Sequence, residues 1–177
     1  PRNLSTAMMY AFAARGDCAV WDEPFYAPYL AATGLDHPLR EEILDAHEND
    51  PARVAARCDG PIPDNRPLFY MKHMPHHMLT PFPLDWARSC TNVFLIRHPA
   101  RVIASYVRKR QAPTADDIGF AAQNALFDRL RAWDLPVWVI DSTDIRANPA
   151  GMLRRLCDAV GIRYTDKMLC WPAGGNP

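Results

Sequence analysis

The amino-acid sequence predicts an α/β domain of three layers, α/β/α, with helices on both sides of a central, mainly parallel sheet. Short apolar runs take turns with amphipathic segments from end to end. A strand, helix, strand succession implies parallel strands joined by crossover helices. One run, Asn92 to Ile96, is apolar after its first residue, as parallel strands covered on both faces tend to be. With 49% hydrophobic and 23% charged residues, the 177 residues read as a single domain, 1–177, with enough chain to bury a core.

Taken in order, Ser5 to Arg15 reads as a helix, with Ala7, Met8, Ala11 and Phe12 on one face and Gly16 as its stop. Cys18 to Trp21 is a short apolar strand. Pro38 to His47 and Pro51 to Cys58 are polar-faced helices, the second capped by Asp50 with Pro51 in its first turn. Leu68 to Met71 and Asn92 to Ile96 are the next strands. Pro99 to Gln111 is a helix whose core side carries Val102, Ile103, Tyr106 and Val107. Thr114 and Asp117 suggest a capping box ahead of another helix, with apolar face Ile118, Ala122, Leu126, Leu130 and Trp133. Val137 to Ile140 is a strand, and Asn148-Pro149 opens a last helix, with Leu153, Leu156 and Val160 inside and Gly161 at its end.

Composition excludes several classes. Lys+Arg and Asp+Glu both number 20, so a broad electrostatic grip on nucleic acid or on a membrane surface is not expected. No run approaches the eighteen or so apolar residues of a membrane span, and no signal peptide opens the sequence. The five cysteines contain no C-x-x-C pair and are odd in number. They read as small core residues of a reduced, cytoplasmic protein, not as a disulfide or zinc framework.

In a parallel α/β sheet, ligands sit at the carboxyl ends of the strands. Four predicted exits carry reactive groups there: Asp22 and Glu23; Lys72 and His73; Arg97 and His98; and Asp141, Ser142, Thr143 and Asp144. The opening Pro1-Arg2-Asn3-Leu4-Ser5-Thr6 leads into the first helix, whose free backbone N–H groups and dipole favour a phosphate-like anion. By local chemistry alone, Ser5 can equally be a simple helix cap and Arg2 a surface cation. It lacks the G-x-x-x-x-G-K-[ST] pattern of a nucleoside triphosphatase loop. Arg101, Ser105 and Arg108 share one helix face after Arg97, so Arg97 and Ser105 can converge on a second anion, or Arg97 can pair with a carboxylate. His73, His76 and His77 read as loop or acceptor-pocket residues and not as metal ligands, because Pro75 opposes the helix that would put His73 and His77 on one face. Phe25, Tyr26 and Tyr29 read either as lining for an acceptor pocket or as packing under a lid.

These segments together resemble the sulfotransferase family, enzymes that use 3′-phosphoadenylyl sulfate (PAPS) on a P-loop nucleotide-hydrolase-like fold. Pro1-Arg2-Asn3-Leu4-Ser5-Thr6 is similar to that family's 5′-phosphosulfate loop, with Asn3-Leu4 where a glycine is usual. Leu95 to Tyr106 is similar to its 3′-phosphate segment, including an Arg and a Ser eight positions apart, Arg97 and Ser105. Lys72-His73-Met74-Pro75 resembles the family's Lys-Thr-His-Leu-Pro with one residue fewer, and Asp141 to Pro149 followed by a helix resembles another of its stretches. The resemblance places the family's first strand ahead of Pro1 and a further segment beyond Pro177, so residues 1–177 correspond to the domain without those two pieces.

The resemblance implies sulfuryl transfer from PAPS to a hydroxyl or amine of a small-molecule acceptor, with adenosine 3′,5′-bisphosphate as product and no metal. Arg2, Asn3, Leu4, Ser5 and Thr6 would bind the 5′-phosphosulfate, Arg97 and Ser105 the 3′-phosphate, and Lys72 would bridge the sulfonate oxygens. The base would be Glu23, which sits in an E-P context, or His73. A P-loop-type kinase and a non-catalytic scaffold for adenosine bisphosphate remain alternatives. An exposed strand edge would offer a homodimer its pairing site.

Overall fold

The computed structural model describes residues 3–107 and 118–172. Its order is α1 (Ser5–Ala13), β1 (Cys18–Asp22), α2 (Tyr26–Thr33), α3 (Arg40–Ala46), α4 (Pro51–Cys58), β2 (Leu68–Lys72), β3 (Asn92–Ile96), α5 (Pro99–Val107), α6 (Phe120–Arg131), β4 (Val137–Asp141), α7 (Ser142–Ala147) and α8 (Pro149–Ala159). The mixed α/β class with parallel strands is as the sequence reads. All four expected strands form, each within a residue of its expected end.

Local chemistry sets the helix ends. The Asp50 carboxylate accepts from Ala52 N at 2.8 Å, and the Asn148 side chain accepts from Gly151 N at 2.9 Å, each beside a proline in the first turn. Gly161 takes φ +74 just past α8, and Ile162 N donates back to Cys157 O at 2.9 Å, the wrap that closes a helix end through a left-handed residue. The expected capping box of Thr114 and Asp117 lies outside the described residues. Helix α6 begins behind Gly119, at φ +71.

Among the described residues, the strands form two parallel ladders, β1 with β2 and β3 with β4, and not one continuous sheet. A cavity of about 570 Å³ separates them, lined by residues of β2 on one side and of β3 on the other. This explains a departure from expectation. β3 is not covered on both faces: only Phe94 is buried, while Val93 and Ile96 are each 40% exposed. Likewise only Val102 of the expected core side of α5 is buried. Ile103 and Val107, an i, i+4 pair on the adjoining stripe, are exposed; the Tyr106 side chain and Arg108 lie outside the described residues.

Two apolar clusters hold the elements. One joins Met8 and Phe12 of α1 to Ile140, Ile145, Leu156 and the fully buried Met168. The other joins Phe25, Val54, Phe82, Trp86, Phe94 and Leu130. Cys18, Cys58 and Cys157 are buried core residues, and burial pushes the Cys18 and Cys58 thiols up to about 11 and about 12. Cys170 is exposed instead.

Candidate active site at the strand exits

The parallel register of β1 and β2 sets Asp22 opposite Lys72. Lys72 is 6% exposed, and its Nζ donates to Asp22 Oδ1 at 2.6 Å and to Glu23 Oε1 at 2.7 Å. Burial alone would lower the ammonium, but the two hydrogen bonds and both carboxylate charges outweigh it and hold Lys72 above its ordinary value. Lys72 is therefore a fixed cation and not a proton acceptor. Glu23 stands where β1 ends, at φ +46, a left-handed conformation that a non-glycine adopts only when its surroundings impose it. Its N–H donates to Lys72 O at 2.8 Å and its carbonyl accepts from Tyr26 N at 2.9 Å, so the turn is pinned on both sides.

The chain after β2 forms a short 3₁₀ turn, Pro75–His77, that lays histidines against aromatic rings. His73 lies beside Trp86 at 4.8 Å and Phe25 at 5.9 Å between ring centroids. Both of its ring nitrogens are shielded and without a hydrogen-bond partner, and burial lowers its pKa to about 4. His77 stacks on Tyr26 at 4.8 Å and Tyr29 at 4.9 Å, and its Nδ1 faces Glu23 Oε2 at 3.8 Å. Burial first, then the charges of His76, Lys72, His73 and His37, lower its pKa to about 3. Phe25 is packing, stacked with Phe82 and Trp86, whereas Tyr26 and Tyr29 wall the histidines. Among the described residues, no group of three or more His, Cys, Asp or Glu converges as metal ligands do.

The opening loop reaches β3. Asn3 Nδ2 donates to Leu95 O at 2.7 Å, near the end of β3, and Gln123 Nε2 donates to that carbonyl at 3.1 Å. Asn3 and Ser5 line the cavity that Lys72 and His73 also line. Leu4, at φ 72, occupies the position before α1, with Ser5 first in the helix and making no side-chain cap; Thr6 is exposed. Arg97 directly follows β3 and Ser105 sits on α5, both half-buried. Arg2 lies outside the described residues.

The structure thus bonds Glu23 to Lys72 and sets Asn3 and Ser5 along one cavity with Lys72 and the adjoining His73. Asp22, expected as a strand-exit group, and His77, expected as a loop or acceptor-pocket residue, adjoin Lys72 and Glu23, and Gln123, which was not expected, joins Asn3 at Leu95 O. Asp22 carried a signal, its place beside Glu23 at a strand exit. His77 carried only its proximity to two other histidines. Gln123 carried none.

Known proteins place the chain and its fold. Two proteins of Arabidopsis thaliana, "Branched-chain-amino-acid aminotransferase-like protein 2" and "Branched-chain-amino-acid aminotransferase-like protein 1", are 32% and 33% identical over the whole chain. The chain spans about a third of each, 31% and 32% of their lengths. The fold is that of the solved "Sulfotransferase Domain from the Curacin Biosynthetic Pathway", with a TM-score of 0.59 over 99% of this chain and 76% of that one, at 17% identity. The model of the sulfotransferase domain family matches residues 1–177 from end to end, and the chain belongs to that family.

Proposed function

We propose that this domain transfers the sulfuryl group of PAPS to a hydroxyl of a small-molecule acceptor and releases adenosine 3′,5′-bisphosphate. The observation that carries the reading is the buried Lys72 ammonium, held between Asp22 and Glu23 on the cavity that Asn3 and Ser5 also line. A cation locked in its charged form, on the cavity that Ser5 at the start of α1 also lines, suits a group with three charged oxygens whose leaving phosphate gains charge in the transition state. Asn3 to Thr6, with Arg2, would hold the 5′-phosphosulfate, and Arg97 with Ser105 the 3′-phosphate.

In this reaction the acceptor oxygen forms a bond to sulfur while the bond from sulfur to the phosphate oxygen breaks. The electron pair leaves with the 5′-phosphate, and the hydroxyl proton goes to a base. Of the two candidates, Glu23 is favoured. His73 has both nitrogens shielded by aromatic rings and a basicity lowered by burial, whereas the Glu23 side chain is 28% exposed and adjoins the lysine. When Lys72 turns to the sulfonate, Glu23 Oε1 loses its hydrogen bond and becomes able to accept the proton. Transfer of labelled sulfonate from PAPS to a panel of alcohols tests the reading. Glu23→Ala should lower turnover by about two to four orders of magnitude and His73→Ala should reduce it less; near-wild-type turnover in Glu23→Ala sinks the assignment. Adenosine 3′,5′-bisphosphate should raise the melting temperature more than AMP or ATP does. A clear shift without transfer to any alcohol would favour the scaffold reading.

We propose further that the protein works in the cytoplasm, as its reduced cysteines suit, and engages neither nucleic acid nor membrane. No helix among the described residues is long and apolar enough to cross a membrane.

A further inference from the structure

We infer that His77 is the positioning residue of the Glu23 carboxylate, facing Oε2 while Lys72 holds Oε1. The inference rests on Glu23 as the base. The two partners of that carboxylate differ in kind. Lys72 Nζ at 2.7 Å is shared with Asp22 and, in the proposed reaction, with the incoming sulfonate. It cannot keep Oε1 in place at the moment the proton moves.

His77 has no such second task. Its ring is 5% exposed and clasped by the Tyr26 and Tyr29 rings, and Tyr26 is itself tied through its hydroxyl to His37 Nδ1 at 2.9 Å. Its Nδ1 is shielded from water and has no hydrogen-bond partner at the present 3.8 Å from Glu23 Oε2. A buried nitrogen left unpaired is costly, and a small closing movement of the carboxylate satisfies it. The tautomer that donates from Nδ1 follows from this geometry. Burial keeps the ring uncharged at neutral pH, so it orients Glu23 without adding a second cation. The sequence of events is then simple. Donor binding draws Lys72 from Oε1, His77 closes on Oε2, and the freed Oε1 remains aimed at the acceptor hydroxyl.

The test is a double-mutant cycle of Glu23→Gln with His77→Phe, followed by labelled transfer from PAPS to the alcohol panel. Phenylalanine keeps a ring between the two tyrosines and removes the donor. His77→Phe should lower kcat about tenfold with the KM for PAPS within about twofold, and should keep the melting shift with adenosine 3′,5′-bisphosphate. The double variant should be no slower than Glu23→Gln alone, because His77 acts only through that carboxylate. His77→Asn, which returns an N–H near the Nδ1 position, should recover part of the loss, and carries the same cycle if the phenylalanine variant does not fold. Wild-type turnover in His77→Phe overturns the inference, as does a loss that multiplies with that of Glu23→Gln. If Glu23→Gln itself retains turnover, the base assignment fails first, and that result is distinguishable from a failure at His77 alone.

Discussion

The carboxyl ends of the two ladders are built differently. At the end of β1 and β2, Asp22, Glu23, Lys72 and His77 engage one another around a lysine that is 6% exposed. At the end of β3 and β4, Ile96 is 40% exposed, Arg97 is half-buried and Ile140 is 7% exposed, and the Asp141 carboxylate caps a helix instead of meeting a lysine. Removing water strengthens electrostatic interactions, so the closed end can stabilise charge that develops during a reaction. On the proposed reading the other end, open at Ile96, binds a charge that does not change, so chemistry and recognition are divided between the ladders.

The sharpest test of that division is Lys72→Met. It removes the cation at the closed end and should lower kcat by two to three orders of magnitude, about 2.7–4 kcal/mol of barrier. Arg97→Ala at the open end should leave kcat within about threefold and raise the KM for PAPS at least tenfold, as loss of uniform binding does. Steady-state kinetics of the two variants side by side break the comparison if the patterns are exchanged.

Acid separates the ends in a second way. His73 and His77, both at the closed end, are lowered to about 4 and about 3, whereas an unfolded histidine titrates near 6.5. Between those values the unfolded chain binds more protons than the folded one, so stability falls as pH drops below about 6.5. It stops falling, on this account, only below the folded values. The slope is about 1.4 kcal/mol per pH unit for each histidine, so denaturant melts at pH 5 should show as much as about 2 kcal/mol less stability per histidine than at pH 6.5. His77→Phe should remove a share of that slope; an unchanged slope would mean that the buried histidines do not control it.

How much of this was legible in the sequence follows the range of the interactions. The strands and the capped helices rest on neighbours within a few residues, so Asp50-Pro51 and Asn148-Pro149 marked their helices correctly. Helix α2 was missed because Phe25, Tyr26 and Tyr29 read either as pocket lining or as packing under a lid. The Lys72 cluster depends on a register that joins residues about 50 positions apart, Asp22 with Lys72, and nothing local specifies it. The separation of the ladders was equally hidden, since Asn92 to Ile96 has the composition of a covered strand whether or not a neighbour covers it. The role of His77 depends on a 3₁₀ turn whose geometry, not its composition, selects that histidine from three.

The smallest expected effect bears most directly on the comparison. Asp141 ends β4 as Asp22 ends β1, and from sequence alone both are strand-exit carboxylates. The structure gives them different tasks. Asp22 Oδ1 accepts from the Lys72 ammonium, whereas Asp141 Oδ1 accepts from Thr143 N at 2.7 Å and so caps α7. A cap of this kind contributes about 1 kcal/mol of stability and nothing to the barrier. Asp141→Ala should therefore lower the unfolding free energy by about 1 kcal/mol while kcat and KM stay within error. Asp22→Asn should lower kcat severalfold, because Lys72 loses one of the two groups that position it. Chemical denaturation and kinetics on this pair decide the matter. Equal effects on turnover would mean that the reacting charge is spread along the whole rim, and that the two ladders share the chemistry after all.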